Sequence, residues 1–117
     1  MAVLRIVANV AATAPAEVQA FYIDLFGLEV LMDFGWIVTL GSEASATTQM
    51  SLMSEGGSGA PVPDLSIEVD DVDMVHDRAK QLGCEIIYDL TDEPWGVRRF
   101  FVADPTGKIL NVLSHSS

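Results

Sequence analysis

The chain repeats itself. Gly27-Leu-Glu-Val-Leu-Met-Asp33 is echoed 56 residues later by Gly83-Cys-Glu-Ile-Ile-Tyr-Asp89. Each copy is preceded by a strand and a helical pattern. Each is followed by a hairpin-like pair, Trp36 to Leu40 with Thr48 to Met53 and then Val97 to Ala103 with Lys108 to Leu113. Such an order reads as two tandem β-α-β-β-β modules, residues 1–54 and 62–117, in an α+β fold. Residues 55–61 lie in a stretch dense in Gly, Ser and Pro and read as a flexible linker. At 117 residues, half of them hydrophobic, the two modules suffice for one domain with one core.

The helical patterns have clear ends. Residues 15–26 carry Val18, Phe21, Tyr22, Leu25 and Phe26 at helical spacing, which predicts one buried face. Pro15 suits the first turn, Glu17 the positive end of the dipole, and Gly27 the stop. In the second helix Asp70 or Asp71 is the cap, Val72, Val75, Ala79 and Leu82 form the stripe, and Gly83 ends it. His76 falls on the polar side of that helix, and His115 sits in the last three residues; both read as surface residues. Cys84, the single cysteine, takes the slot of Leu28 in the other copy and reads as core filling. With no cysteine to pair with, it fits a reducing compartment.

One helix can cover only one face of its module's sheet, so the other face must find shelter against the other module or another chain. The expected result is a curved sheet with a concave cleft as the functional site. Which side chains line it depends on the turn Asp104-Pro-Thr-Gly107. Pro105 presets φ for a type I turn and Gly107 suits the left-handed position of a G1 bulge. With the bulge, Phe101 shares a side with Asn111 and Arg99 with Leu113, while Phe100, Val102, Leu110 and Val112 pack under the helix. A plain two-residue hairpin would instead bring Arg98 and Phe100 to the cleft.

Four segments together resemble the vicinal-oxygen-chelate superfamily of glyoxalases, bleomycin-resistance proteins and dioxygenases. They are Phe21-Tyr-x-x-Leu-Phe-Gly-Leu-Glu29, Leu65-Ser-Ile-Glu-Val-Asp-Asp71, Pro94-Trp-Gly-Val-Arg-Arg-Phe100 and Asp104-Pro-Thr-Gly-Lys-Ile-Leu-Asn111. The third is similar to an element of the bleomycin-resistance proteins. The resemblance implies a homodimer, and it implies four inward strand positions that in the family's enzymes carry His or Glu on a divalent metal. Carried over, those positions are Val7, Ser51 (with Gln49 on the same face), Asp64 and Asn111. One carboxylate and no imidazole is a poor donor set, so no metal or other cofactor is expected.

Seventeen carboxylates against six Lys and Arg give a net charge of −11, which repels phosphate backbones and anionic lipid. Nucleic acid and membranes are therefore not expected as partners. A cytoplasmic protein is the default, because no apolar run approaches the ~20 residues of a membrane span. Neither a phosphate loop nor a nucleophile elbow is present: Gly56-Gly-Ser-Gly59 opens into Ala-Pro-Val-Pro, with no helix behind it. The candidate ligand-binding lining combines Asn9, Gln49, Ser51, Asp64 and Asn111 with Phe34, Trp36, Trp95 and Phe101, plus Arg99 as the inward arginine. Amides beside aromatic faces suit an amphiphilic, planar or cationic small molecule. The expectation is a metal-free small-molecule binding protein that sequesters its ligand. The alternative is a lyase, isomerase or dioxygenase-type enzyme with a degenerate metal site.

Overall fold

The structure, a computed structural model, describes residues 1–115, the side chains of Ala46 and Thr47 excepted. The elements follow in the order β1 (Val3–Ala11), α1 (Pro15–Phe26), β2 (Glu29–Asp33), β3 (Ile37–Ser42), β4 (Ser45–Met53), β5 (Leu65–Val69), α2 (Val72–Gln81), β6 (Ile86–Asp92), β7 (Val97–Ala103) and β8 (Ile109–His115). This is the β-α-β-β-β sequence twice over. Two compact units divide the chain: a first, Val7–Val62, and a second that joins Met1–Ile6 to Pro63–Ser117.

In the first unit the strands run β2-β3-β4-β1. The pairs β2/β3 and β3/β4 are antiparallel, and β4 lies parallel to β1. Val38, Leu40 and Leu52 are sealed beneath α1, whose Val18, Tyr22 and Ile23 pack on them. The expected stripe of α1 is thus only partly buried: Phe21, Leu25 and Phe26 remain 60–63% exposed. The face that meets the strands is turned toward Gln19 and Ile23, and an apolar side chain on the adjoining face is left outside. Gly27 does stop the helix, at φ 68°, donating its N–H to the Ile23 carbonyl.

The second unit repeats the plan as β5-β8-β7-β6, with β5 parallel to β8 and the other neighbours antiparallel. Val69, Val72, Ala79, Phe100, Val102 and Val112 make its core. Asp71 is the cap of α2, its Oδ1 accepting the Met74 N–H at 3.1 Å. Leu82 is 73% exposed rather than part of the stripe. His76 takes the place the stripe left open. It is buried, contrary to expectation, with its ring edge-on to Phe100 at 4.9 Å and Nε2 3.1 Å from Asp89 Oδ1. His115, at the end of β8, is half exposed with Nδ1 2.6 Å from Glu68 Oε2.

One further expectation gives way. Cys84 is exposed, whereas Leu28, its match in the repeat, packs against the core of the first unit. Residues 55–61, expected as the linker, carry hydrogen bonds of their own. Gly56 N–H donates to the Ala60 carbonyl, Ala60 N–H to the Gly57 carbonyl, and Gly59 N–H to the Glu55 carboxylate. Gly56 and Ala60 are buried, and a Cβ on Gly56 would collide with the Pro61 carbonyl.

Candidate functional site

The turn before β8 settles which side chains share a face. Gly107 has φ 86° and donates to the Asp104 carbonyl, while the Asp104 and Lys108 backbones pair across the loop. Asp104 Oδ1 collects the Thr106 hydroxyl at 2.6 Å and the Thr106 and Lys108 N–H groups. The Thr106 hydroxyl, and the backbone donors with it, hold the Asp104 carboxyl below the usual carboxylate range. The register that follows is Phe101 opposite Asn111 and Arg99 opposite Leu113. Phe100, Val102 and Val112 lie in the core under α2 with Leu110 against them. The bulged turn is the one that forms, and Arg99 faces away from the helix.

On that helix-free face Arg99 is sealed, its side chain 2% exposed. Its Nη2 lies 2.5 Å from Glu93 Oε2, on a side chain 3% exposed. Three rings surround the guanidinium: Phe101 at 4.8 Å, Tyr88 at 5.0 Å and Trp95 at 5.0 Å from Cζ to centroid. The Tyr88 hydroxyl donates to Glu93 Oε2 at 3.1 Å. Trp95 reaches the box from a turn in which Glu93 N–H bonds the Val97 carbonyl and Gly96 takes φ 87°. So Trp95, Arg99 and Phe101 do come together. The cation in the aromatic box is the protein's own arginine, and its counter-ion Glu93 was not foreseen. The signal was available: Glu93 stands immediately before Pro94-Trp-Gly, and Tyr88 aligns with Met32 in the repeat. Arg98, on the other side of β7, is the exposed arginine, bridging Asp73 at 2.9 Å and Asp92 at 3.1 Å. The Arg98 hydrogen bond holds Asp73 below its ordinary range.

Asn111 sits next to this box. It is 8% exposed, pairs with Ser66 on β5 and Phe101 on β7, and donates from Nδ2 to Ser66 Oγ at 3.1 Å. Its Oδ1 is buried and accepts no hydrogen bond among the described residues. Asp64 is exposed and engaged: its Oδ2 accepts the Ile109 N–H at 2.8 Å, and its own N–H bonds the Ile109 carbonyl.

The first unit carries the matching row. Asn9 pairs with Ser51, and Ser51 with Thr39, on the face away from Val38, Leu40 and Leu52. Ser51 is buried and its hydroxyl shares a 2.8 Å hydrogen bond with Thr39 Oγ1. Gln49 lies two residues along, opposite Gly41, and is half-buried. Phe34 and Trp36 flank Gly35 at the turn into β3. Phe34 is 48% exposed, Trp36 is half-buried, and the Trp36 carbonyl accepts the Ser54 N–H. Thus the structure gathers Asn9 with Ser51 in one unit and Trp95, Arg99, Phe101 and Asn111 in the other. Phe34 and Trp36 stand at a turn, apart from the Asn9–Ser51 row.

The four positions that hold a metal in the family's enzymes do not suit one here. Val7 is a buried hydrocarbon, the Ser51 hydroxyl is bonded to Thr39, Asp64 serves a backbone N–H, and Asn111 is a neutral amide. A single carboxylate with neutral oxygens lacks the charge and the imidazoles that such sites use. Among the described residues no group of three His, Cys, Asp or Glu side chains is placed to hold an ion. None of the described helices is long and apolar enough to cross a membrane.

Comparison with known proteins agrees with this architecture. The family model described as "Glyoxalase/Bleomycin resistance protein/Dioxygenase superfamily" matches residues 5–112. Among solved structures, a hypothetical protein from Bacillus halodurans C-125 aligns with TM-score 0.78 and 14% identity over 100% of this chain and 97% of its own. A glyoxalase/bleomycin resistance protein/dioxygenase superfamily member from Vibrio splendidus 12B01 aligns with TM-score 0.68 and 18% identity over 97% and 99%. Methylmalonyl-CoA epimerase from Mycobacterium tuberculosis aligns with TM-score 0.66 and 16% identity over 98% and 88%. No curated protein matches the sequence significantly. Identities this low establish the fold alone, but the family match spans nearly the whole sequence, and the chain belongs to the glyoxalase/bleomycin resistance protein/dioxygenase superfamily.

Proposed function

We propose that the protein binds a small molecule without a metal, on the helix-free faces of its modules, and holds it rather than transforms it. The observation that carries this reading is the state of the four ligand positions: one is hydrocarbon, two are neutral, and the lone carboxylate already accepts a backbone N–H on one of its oxygens. A site with no imidazole and a single carboxylate tied to the backbone has more groups for recognition than for turnover. Asn9, Gln49 and Ser51 in one module, and Trp95, Phe101 and Asn111 in the other, offer hydrogen bonds beside aromatic surface. The net charge of −11 draws cationic or amphiphilic ligands toward the protein. In this reading the protein acts in the cytoplasm as a homodimer, in the manner of resistance proteins that sequester a drug.

The test is isothermal titration with cationic glycopeptide antibiotics, alongside elemental analysis of untagged protein. Saturable heat from metal-free protein is the expected result. Stoichiometric zinc, nickel, iron or manganese would overturn the reading in favour of a metal enzyme of the family.

A further inference from the structure

The two modules build the same row of residues across their strands, and one row is left open. In the first unit the row is Asn9, Ser51, Thr39 and Met32; in the second it is Ser66, Asn111, Phe101 and Tyr88. Ser51 finds its cross-strand partner in the Thr39 hydroxyl. Its counterpart Asn111 faces Phe101, which has no polar atom to offer. The Asn111 Nδ2 is satisfied by Ser66, so the unmet group is the carbonyl oxygen, buried and accepting nothing among the described residues. Leaving a buried acceptor in this state is unfavourable, and an apolar side chain of similar shape would avoid the cost.

The neighbourhood states what would meet it. The adjoining Phe101 ring lies against Arg99, whose charge is already matched by Glu93 at 2.5 Å, so the spot is neither short of a cation nor of an anion. We infer that Asn111 Oδ1 is the recognition acceptor of this site and that it takes a neutral planar ligand carrying an N–H donor, such as a primary amide or ring lactam. The inference rests on the metal-free ligand-binding reading above and takes its amphiphilic, uncharged branch rather than the cationic one. Asn111 acts by direct contact with the ligand, and Ser66, whose hydroxyl oxygen accepts from Nδ2, acts as a positioning residue for the amide.

Three probes of similar shape separate the possibilities: benzamide, N,N-dimethylbenzamide, which has lost its donors, and acetophenone, which never had them. Binding is followed by ligand-observed saturation-transfer NMR at millimolar concentration and by the Asn111 side-chain NH2 signals. Benzamide is expected to bind and to shift those signals, with the other two weaker by about tenfold. Asn111→Leu is expected to lose benzamide by a similar factor while its melting midpoint stays level or rises, a combination that a merely structural asparagine would not give. Ser66→Ala, which lets the amide turn, weakens benzamide in the same direction and serves where the leucine variant does not fold. Equal binding of acetophenone, unchanged benzamide binding in the variants, or no response to benzamide would each overturn the inference. Glycopeptide heat that survives Asn111→Leu would sink this inference and leave the broader function standing, whereas bound metal would sink the function.

Discussion

Removing the charge of Glu93 is the sharpest perturbation the structure offers. Arg99 and Glu93 are 2% and 3% exposed at the side chain, so neither charge can turn to water when its partner goes. Breaking a buried pair from one side costs about 3–5 kcal/mol, because an uncompensated ion stays behind. Here the three rings stay against the guanidinium after the substitution and soften the cost of leaving it unpaired. A net loss of about 2–4 kcal/mol is expected for Glu93→Gln. With an unfolding entropy of about 2.1 cal/mol/K per residue, 117 residues give roughly 4 °C per kcal/mol, so the midpoint should drop by about 8–16 °C. Circular dichroism and tryptophan fluorescence melts read this directly, the latter because Trp95 lies in the box. The double variant Glu93→Leu/Arg99→Met removes both charges and should recover most of the loss. A Glu93→Gln midpoint within a degree or two of the parent would refute the sealed pair, and so would additive losses in the double variant.

Other expectations are as direct. Gly56→Ala pushes a methyl group into the Pro61 carbonyl and should cost about 1–3 kcal/mol in urea unfolding, whereas a loose tether would absorb it. Asp71→Ala removes the α2 cap and should cost about 1 kcal/mol, with Asp71→Asn nearly neutral. Asp104 has its carboxyl pKa depressed in the fold, chiefly by the Thr106 hydroxyl, so the stability it contributes is present above the unfolded carboxylate range and is lost as pH falls through the lower folded value. Asp104→Ala should therefore be less stable at neutral pH and show a shallower loss on acidification, read as urea midpoints from pH 6 to about pH 2. A parallel acid slope in the two proteins would contradict that linkage.

Much of the architecture was legible because its signals are local. The heptapeptide echo fixed the module count, and Gly107 fixed the parity of β7 and β8, since one residue of slip exchanges every side chain between faces. What misled was periodicity where apolar residues outnumber the places to bury them. In α1, Phe21, Leu25 and Phe26 look as eligible as Tyr22, and only the position of β3 and β4 decides between the faces. In α2 the histidine that ranks as polar fills the core position, because an imidazole with one nitrogen on Asp89 can lay its ring on Phe100. The candidate site shows the same division. Trp95, Arg99 and Phe101 converge as alternation requires, but the counter-ion of Arg99 is Glu93, which lies in the turn before β7 where strand alternation does not apply.

The duplicated plan lets each module serve as a control for the other. Where the first closes its row with a hydroxyl pair, Thr39 and Ser51, the second puts an aromatic ring opposite an amide and then buries an arginine and a glutamate beside that ring. Hydrophobic packing does not require those choices, for the first module manages its row with small polar groups and a methionine. Converting the second row to the first, with Phe101→Thr and Asn111→Ser together, asks whether stability or recognition maintains the difference. The hydroxyl pair would satisfy the acceptor, yet the exchange removes a ring buried to 0% exposure, which alone costs about 3–5 kcal/mol. Asn111→Leu alone keeps the ring and removes the unmet acceptor together with the Nδ2–Ser66 hydrogen bond. If the row is kept for binding, that single change is neutral or stabilising in melts and damaging in titrations; a protein weakened in both would place Asn111 in the architecture instead.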